Sequence, residues 1–340
     1  MSGQPRVWIV LVNWNGWRDT IECLESVLRM PYANMGVIVC DNASSDGSLE
    51  QLTAWASGAN AYQAPAGKLA ALTTPSLPKP LACQVLEVGQ GLPDALPALP
   101  LLFVKTGGNL GFAGGNNVGI RLALADQHCA FVWLLNNDTV VETACLQHLV
   151  DAASADPGIG ITGSVNYFYG QPETVQALGG GSFARRRVFS DLLGHRLRKN
   201  DITPAIVAQA QASLDWVSGA SMFVSRRFLE QTGLMEEAYF LYYEEIDWAL
   251  RSERHFRNAL APQAVLYHKS GGATGEKTDG TFAVYTRCRS RFKLYRKLLP
   301  AWLPACYLRT GRDCLVEAVR GRRANAQAIL RAGIDDLLQR

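Results

Sequence analysis

The chain has 340 residues, 48% hydrophobic and 19% charged, which suits a packed globular enzyme and excludes a disordered chain. Thirty-three Lys and Arg against thirty Asp and Glu leave a net charge of +3, too balanced to point to nucleic acid. No apolar run reaches the roughly 18–20 residues needed to span a bilayer, the N-terminus does not read as a signal peptide, and eight scattered cysteines without a CxxC read as reduced thiols of a cytoplasmic protein.

Residues 7–12 form a short apolar run of strand length. Asp19, with Glu22 three residues on, has the spacing of a capping box for a helix whose stripe is Ile21, Leu24 and Leu28. Residues 36–40 read as a second buried strand ending at Asp41, and the polar run 42–48 can cap a helix starting near Leu49. Residues 57–100 break the pattern. They hold seven of the fifteen prolines and read as a surface insertion with one short strand at 83–88. Alternation then resumes: strand 101–105, a glycine-rich turn over 107–116, a helix to about Ala125, strand 130–135, helix 144–153 and strand 159–163. Short buried strands alternating with helices predict an α/β domain built on a mostly parallel sheet. The second half is less regular. It reads as strand–turn–strand over 216–224, a helix over 244–254, and a strand over 260–268 running into Ser270-Gly271-Gly272. From Thr286 the chain is basic and helical in pattern, so a domain over 1–275 is expected to carry a helical extension over 276–340.

In an open α/β sheet, ligands bind beyond the carboxyl ends of the strands. Four polar clusters fall at such ends: Asn13 and Asn15, Asp41-Asn42 with Asp46, Asn109 with its glycines, and Asn136-Asn137-Asp138. One such cluster is an ordinary turn, whereas four at one sheet edge point to a ligand. Oxygen donors in the short stretch 136–138 suit Mg²⁺ or Mn²⁺, which keep waters and bind through one or two carboxylates plus substrate phosphates. No G-x-G-x-x-G follows the first strand and no P-loop is present, which argues against a dinucleotide dehydrogenase or a P-loop NTPase.

The runs Val12-Asn13-Trp14-Asn15, Asp41-Asn42-Ala43-Ser44-Ser45-Asp46-Gly47-Ser48, Asn109-Leu110-Gly111-Phe112-Ala113-Gly114-Gly115-Asn116-Asn117 and Leu134-Leu135-Asn136-Asn137-Asp138-Thr139 resemble family 2 glycosyltransferases. So do Trp216-Val217-Ser218-Gly219-Ala220-Ser221-Met222 and Tyr242-Tyr243-Glu244-Glu245-Ile246-Asp247-Trp248, and all stand in the family's order over residues 6–275. The resemblance is to the bacterial rhamnosyltransferase-like branch. It implies a GT-A fold and inverting transfer from a nucleotide-diphospho-sugar, with dTDP-L-rhamnose the leading donor. It also implies a glycan or lipid-linked glycan acceptor in polysaccharide synthesis. The donor would be held by Asn13, Asn15, Asp41, Asn42, Asp46, Asn109, Gly111, Gly115, Asn116, Asn136 and Asn137, with Asp41 at the nucleoside base. The metal would sit on Asp138, in a motif whose first acid is here Asn136, and on His268, where some relatives complete the metal shell.

Inversion by direct displacement needs a carboxylate to take the acceptor's proton and positive charge at the departing diphosphate. Glu245 stands where the family carries its basic Asp, so it is the expected base, with Glu244 and Asp247 as rivals. Asp247 can equally pair with Arg251 at i,i+4. Trp216, Gly219 and Trp248 are expected on the acceptor side, where the indole rings either stack on sugar faces or pack in the core. The missing first acid and the Glu for Asp also fit a catalytically weak, nucleotide-sugar-binding scaffold subunit of a polysaccharide assembly. The basic stretch 287–297, followed by Trp302, suggests peripheral contact with the inner face of the cell membrane. The same stretch could instead pack on the catalytic domain.

Overall fold

A computed structural model describes residues 3–88, 99–269 and 280–338. The first half winds as β1 (Arg6–Asn13), α1 (Trp17–Val27), β2 (Met35–Asp41), α2 (Ser48–Ser57), β3 (Cys83–Glu87), β4 (Leu101–Lys105), α3 (Gly111–Ala125) and β5 (Cys129–Asn136). Then come β6 (Thr139–Val141), α4 (Cys145–Ser154), β7 (Ile159–Phe168), β8 (Gln171–Leu178), β9 (Gly180–Ala184), β10 (Phe189–Leu192) and α5 (Pro204–Ala212). They are followed by β11 (Trp216–Val217), β12 (Ser221–Ser225), α6 (Arg226–Thr232), α7 (Glu244–Ser252) and β13 (Arg257–His268). The chain closes on α8 (Thr281–Leu298), α9 (Leu303–Val319) and α10 (Arg323–Leu337).

Ten strands form one sheet in the order β3-β4-β2-β1-β5-β12-β7-β13-β6, with β8 on β7. The first five run parallel. Beyond β5 the sheet is mixed, because β12, β8 and β6 pair antiparallel. The apolar runs of the first half are continuous because both faces of their strands are covered. Val7, Ile9 and Leu11 of β1 pack with α1 and α2, while Trp8 and Val10 pack with α3. The helix α3 lies so close to β1 that a Cβ at Gly119 would sit 2.3 Å from a Val10 methyl.

Two expectations need correction. The helix α1 begins after Gly16 with no side-chain cap. Asp19 and Glu22 reach instead for Lys269 Nζ, at 2.6 Å from Asp19, and so tie the end of β13 to α1. The glycine-rich run is shorter as a turn than it reads, since α3 already starts at Gly111. The insertion is anchored over its described part. Buried Glu25 accepts from Trp55 Nε1 (2.9 Å), Leu77 N (2.8 Å) and Lys79 Nζ (3.3 Å), and β3 extends the sheet edge. Residues 89–98 of that insertion lie outside the described residues, as do Ser270-Gly271-Gly272 and the expected boundary at 275 and 276.

The stretch 287–297 is a packed helix. Phe292, Leu294 and Tyr295 of α8 are buried in a cluster with Tyr239 and Ile246. Buried Arg291 pairs with Asp313 (2.8 Å) and donates to Thr310 Oγ1 (2.8 Å), which fastens α9 to α8. The apolar side of α8 is taken up by this core, while Arg287, Lys293, Arg296 and Lys297 stay exposed. All eight cysteines are free, and burial pushes the thiols of Cys23, Cys40 and Cys129 up to about 12.

Candidate functional site

The carboxyl ends of β1, β2, β4 and β5 line up along one sheet edge, and a buried polar chain joins them. Asn13 Nδ2 donates to Asp41 Oδ1 (2.9 Å) and to Ser44 Oγ (3.1 Å). Thr20 Oγ1 donates to Asn13 Oδ1 (2.8 Å) and accepts from Asn137 Nδ2 (2.8 Å). Asn42 Nδ2 donates to Asn109 Oδ1 (3.1 Å) and Gly111 O (3.1 Å), while its Oδ1 accepts from Leu110 N (3.1 Å). Exposed Asn15, at φ +51°, accepts from Ser45 N (2.7 Å), and Asp46 Oδ1 accepts from Ser48 N (3.0 Å). The expected donor residues thus divide. Asn15, Asp46 and Asn109 are exposed along the edge, and Asp41 keeps 7% of its surface open to it. Asn13, Asn42 and Asn137 are buried beneath and hold the others in place. Gly115 and Asn116 belong to α3 and serve packing: a Cβ at Gly115 would meet Val12 at 2.9 Å, and buried Asn116 donates to Phe112 O (2.9 Å).

Asp138 and His268 meet where β5 ends. His268 Nε2 lies 3.0 Å from Asp138 Oδ1 and 3.2 Å from Asn136 Nδ2. The other ring nitrogen, Nδ1, lies 2.9 Å from Gln176 Oε1, and a proton held there leaves the Nε2 lone pair turned toward Asp138. One carboxylate and one imidazole fit a divalent cation that takes its remaining ligands from water and diphosphate. No group of three or more His, Cys, Asp and Glu that could hold a metal stands among the described residues.

The acids sit at the start of α7. Tyr242 and Tyr243 hold positive φ, +68° and +72°, a conformation unusual for bulky residues, and it turns the chain so that α7 starts at Glu244. Glu244 is buried, and its Oε2 has no hydrogen-bond partner. Burial first, and the charge of Glu245 second, raise its pKa well above the usual carboxylate range. Half-buried Glu245 is raised by burial as well, against hydrogen bonds from its own backbone and from Gly219. Gly219 lies under Glu245: a Cβ there would stand 2.8 Å from Oε1 and 3.3 Å from the Phe112 ring. Because Asn136 N donates to Ala220 O (3.0 Å), the Gly219 turn couples Glu245 to the strand end that carries Asp138.

Asp247 is not available as a base. Its Oδ1 takes Arg251 Nε at 2.6 Å, and Oδ2 takes Tyr239 Oη and Lys297 Nζ, both at 3.2 Å. Trp248 is fully buried, edge-to-face with Phe228 at 5.1 Å, and its Nε1 donates to Gly233 O (2.9 Å), so it packs the core instead of meeting an acceptor. Trp216 is half-buried against Gly181. Sequence reading missed Thr20, Gln176 and Lys269, whose roles come from tertiary placement. It also missed Phe240 and Phe282, exposed rings 6.4 Å apart, the first of which accepts from Phe112 N through its carbonyl beside Gly111.

A sheet of this order, with an Asn/Asp-lined edge and paired acids across it, defines a GT-A nucleotide-diphospho-sugar transferase fold. It is similar to mannosyltransferase PcManGT from Pyrobaculum calidifontis, solved with GDP-Man and Mn²⁺ (TM-score 0.54, 15% identity, 100% of this chain and 89% of that one). It is also similar to GalNAc-T7, solved with UDP, GalNAc and Mn²⁺ (TM-score 0.52, 14% identity, 85% of this chain and 48% of that one). Within that class, residues 8–66 match Glycosyl transferase family 2. The chain is 27% identical over 192 residues to the low-salt glycan biosynthesis hexosyltransferase Agl10 of Haloferax volcanii. That match takes in 56% of this chain, which spans 58% of the relative's length.

Proposed function

We propose that this chain is an inverting glycosyltransferase. It moves a sugar from a nucleotide-diphospho-sugar, with dTDP-L-rhamnose the leading candidate, to a glycan or lipid-linked glycan acceptor at the inner face of the cell membrane. The observation that carries the reading is Glu245, half-buried on Gly219 and coupled through Ala220 to the strand end bearing Asp138 and His268. Asp41 receives the nucleoside, and Asn109 with Gly111 lets the backbone approach the donor. Asp138 and His268 would hold Mg²⁺ or Mn²⁺, a reading supported by the Mn²⁺ in both similar structures. Such an ion neutralises charge on the leaving diphosphate when bound.

Glu245 takes the acceptor hydroxyl's proton. The acceptor oxygen then bonds to the anomeric carbon from the face opposite the diphosphate, the bond to the diphosphate oxygen breaks, and the nucleoside diphosphate leaves. The raised pKa of Glu245 makes it a stronger base than a solvated carboxylate. Phe240 and Phe282 offer an apolar platform beside Gly111 for an acceptor ring.

A thermal-shift panel of dTDP, UDP and GDP with and without Mn²⁺ tests the donor site. Ligand at about 100 times its dissociation constant stabilises by about 2.7 kcal/mol. A Mn²⁺-dependent shift with one nucleotide supports the reading, and no shift with any of them in folded protein sinks it.

A further inference from the structure

The last two helices leave apolar side chains in water after their own packing is complete. In α9, Leu308, Leu315 and Val319 recur at i, i+7 and i+11 on one face and are 77%, 64% and 80% exposed. In α10, Leu330, Ile334 and Leu337 recur at i, i+4 and i+7 and are likewise exposed. The opposite faces are already satisfied. Thr310 and Asp313 of α9 bond Arg291, while Ile329 and Ala332 of α10 bury against Cys288 of α8. Isolated surface leucines need no explanation, but two helical stripes on neighbouring helices do.

Charge selects the occupant. Residues 303–338, which make up α9 and α10, hold six Arg against four Asp and Glu, a net of +2, and five of those Arg are exposed while none of the acids is. Exposed Arg312 lies between Leu308 and Leu315, and exposed Arg323 and Arg331 flank the α10 stripe. Arg312 and Arg323 make no ion pair among the described residues. A second copy of this face is a poor match, since it would bring two sets of exposed arginines together.

We propose that the α9–α10 face lies on an anionic lipid bilayer, its leucines entering the boundary between headgroups and acyl chains and its arginines meeting lipid phosphates. The apolar contact thus falls on α9 and α10, since the apolar side of α8 is buried. It deepens the membrane placement proposed above and rests on that reading, but lipid binding and nucleotide binding are measured separately, so one can fail while the other stands.

The test is co-sedimentation of the full chain with vesicles of neutral phosphatidylcholine and of phosphatidylcholine with about one-quarter phosphatidylglycerol. The wild type should bind the anionic vesicles, bind the neutral ones at least about tenfold more weakly, and release as salt rises. Leu315→Asp with Val319→Asp, and Leu330→Asp with Ile334→Asp, should each weaken binding at least about tenfold while melting temperature and nucleotide-induced shift stay at wild type. These positions are exposed, so loss of folding is not expected. Absence of wild-type binding to anionic vesicles overturns the proposal, and so do variants that bind like wild type. A wild-type dimer by light scattering that the same substitutions turn into monomers would assign the face to a second copy instead.

Discussion

Thr20→Val deletes one hydroxyl from the chain that links two strand ends, and keeps the side chain's shape. Asn13 Oδ1 and Asn137 Nδ2 each lose a partner at 2.8 Å, and both residues are buried. A buried polar group left without a partner costs about 1–3 kcal/mol. Two such groups total about 2–6 kcal/mol, and the added methyl returns only about 0.8 kcal/mol. Thr20→Ser is the control: it keeps the hydroxyl and loses a methyl, at about 1 kcal/mol. Urea unfolding followed by tryptophan fluorescence gives both values, and the Val variant should fall below the Ser variant by about 2 kcal/mol, the middle of that range less the two methyl terms. Because Asn13 Nδ2 orients Asp41 Oδ1, the Val variant should also bind its nucleoside diphosphate at least about tenfold more weakly. If Val and Ser variants agree within about 0.5 kcal/mol and bind nucleotide equally, the hydroxyl is not the link argued here.

Glu244→Gln should change the pH dependence of stability. The fold raises the Glu244 pKa, so the native state binds its proton more tightly than the unfolded chain, and stability falls as pH climbs from the ordinary carboxylate value through the raised one. Gln carries no such proton, so melts of variant and wild type should coincide near about pH 4 and diverge in the variant's favour toward about pH 8; parallel profiles would count against a buried, proton-holding Glu244. Gly111→Ala puts a Cβ 2.5 Å from the Phe240 carbonyl at φ +70°, so both donor affinity and stability should drop. Gly107→Ala, at φ +81° in open space, carries only the left-handed strain of about 1–2 kcal/mol, and equal losses at the two positions would show that the contact with Phe240 is unimportant.

The strands of the first half were legible because each is buried on both faces, which writes a continuous apolar run into residues 7–12, 36–40, 101–105 and 130–135. The strand-end Asn and Asp residues were legible for the complementary reason: parallel strands deliver their carboxyl ends to one edge. Strands β8 to β10 escaped notice because β8 and β10 are partly exposed and at least half polar, while β9 opens on two glycines, so none writes an apolar run. Local sequence overstated two roles. Whether Asp247 serves as a base or as an ion-pair partner was settled only by Arg251, Tyr239 and Lys297 closing on its carboxylate. Trp248 could be placed in the core only once α6 brought Phe228 against it. Thr20 and Gln176 carry no motif, since each acts through a partner more than 90 residues away. The basic pattern over 287–297 did not reveal that Arg291, unlike its exposed neighbours Arg287 and Lys293, is buried with Asp313, because no spacing shows that pairing.

The most direct test of the transferase reading is turnover of the nucleotide sugar by wild type and Glu245→Gln in the presence of Mn²⁺. The variant keeps the side chain's shape and removes the base. Wild type should release nucleoside diphosphate on transfer to acceptor. Glu245→Gln should bind donor as well as wild type and transfer at least about 10²-fold more slowly, the usual contribution of a general base. Normal transfer by Glu245→Gln would remove Glu245 from the chemistry, and wild type that binds donor without turning it over would make the chain a nucleotide-sugar-binding subunit instead of an enzyme.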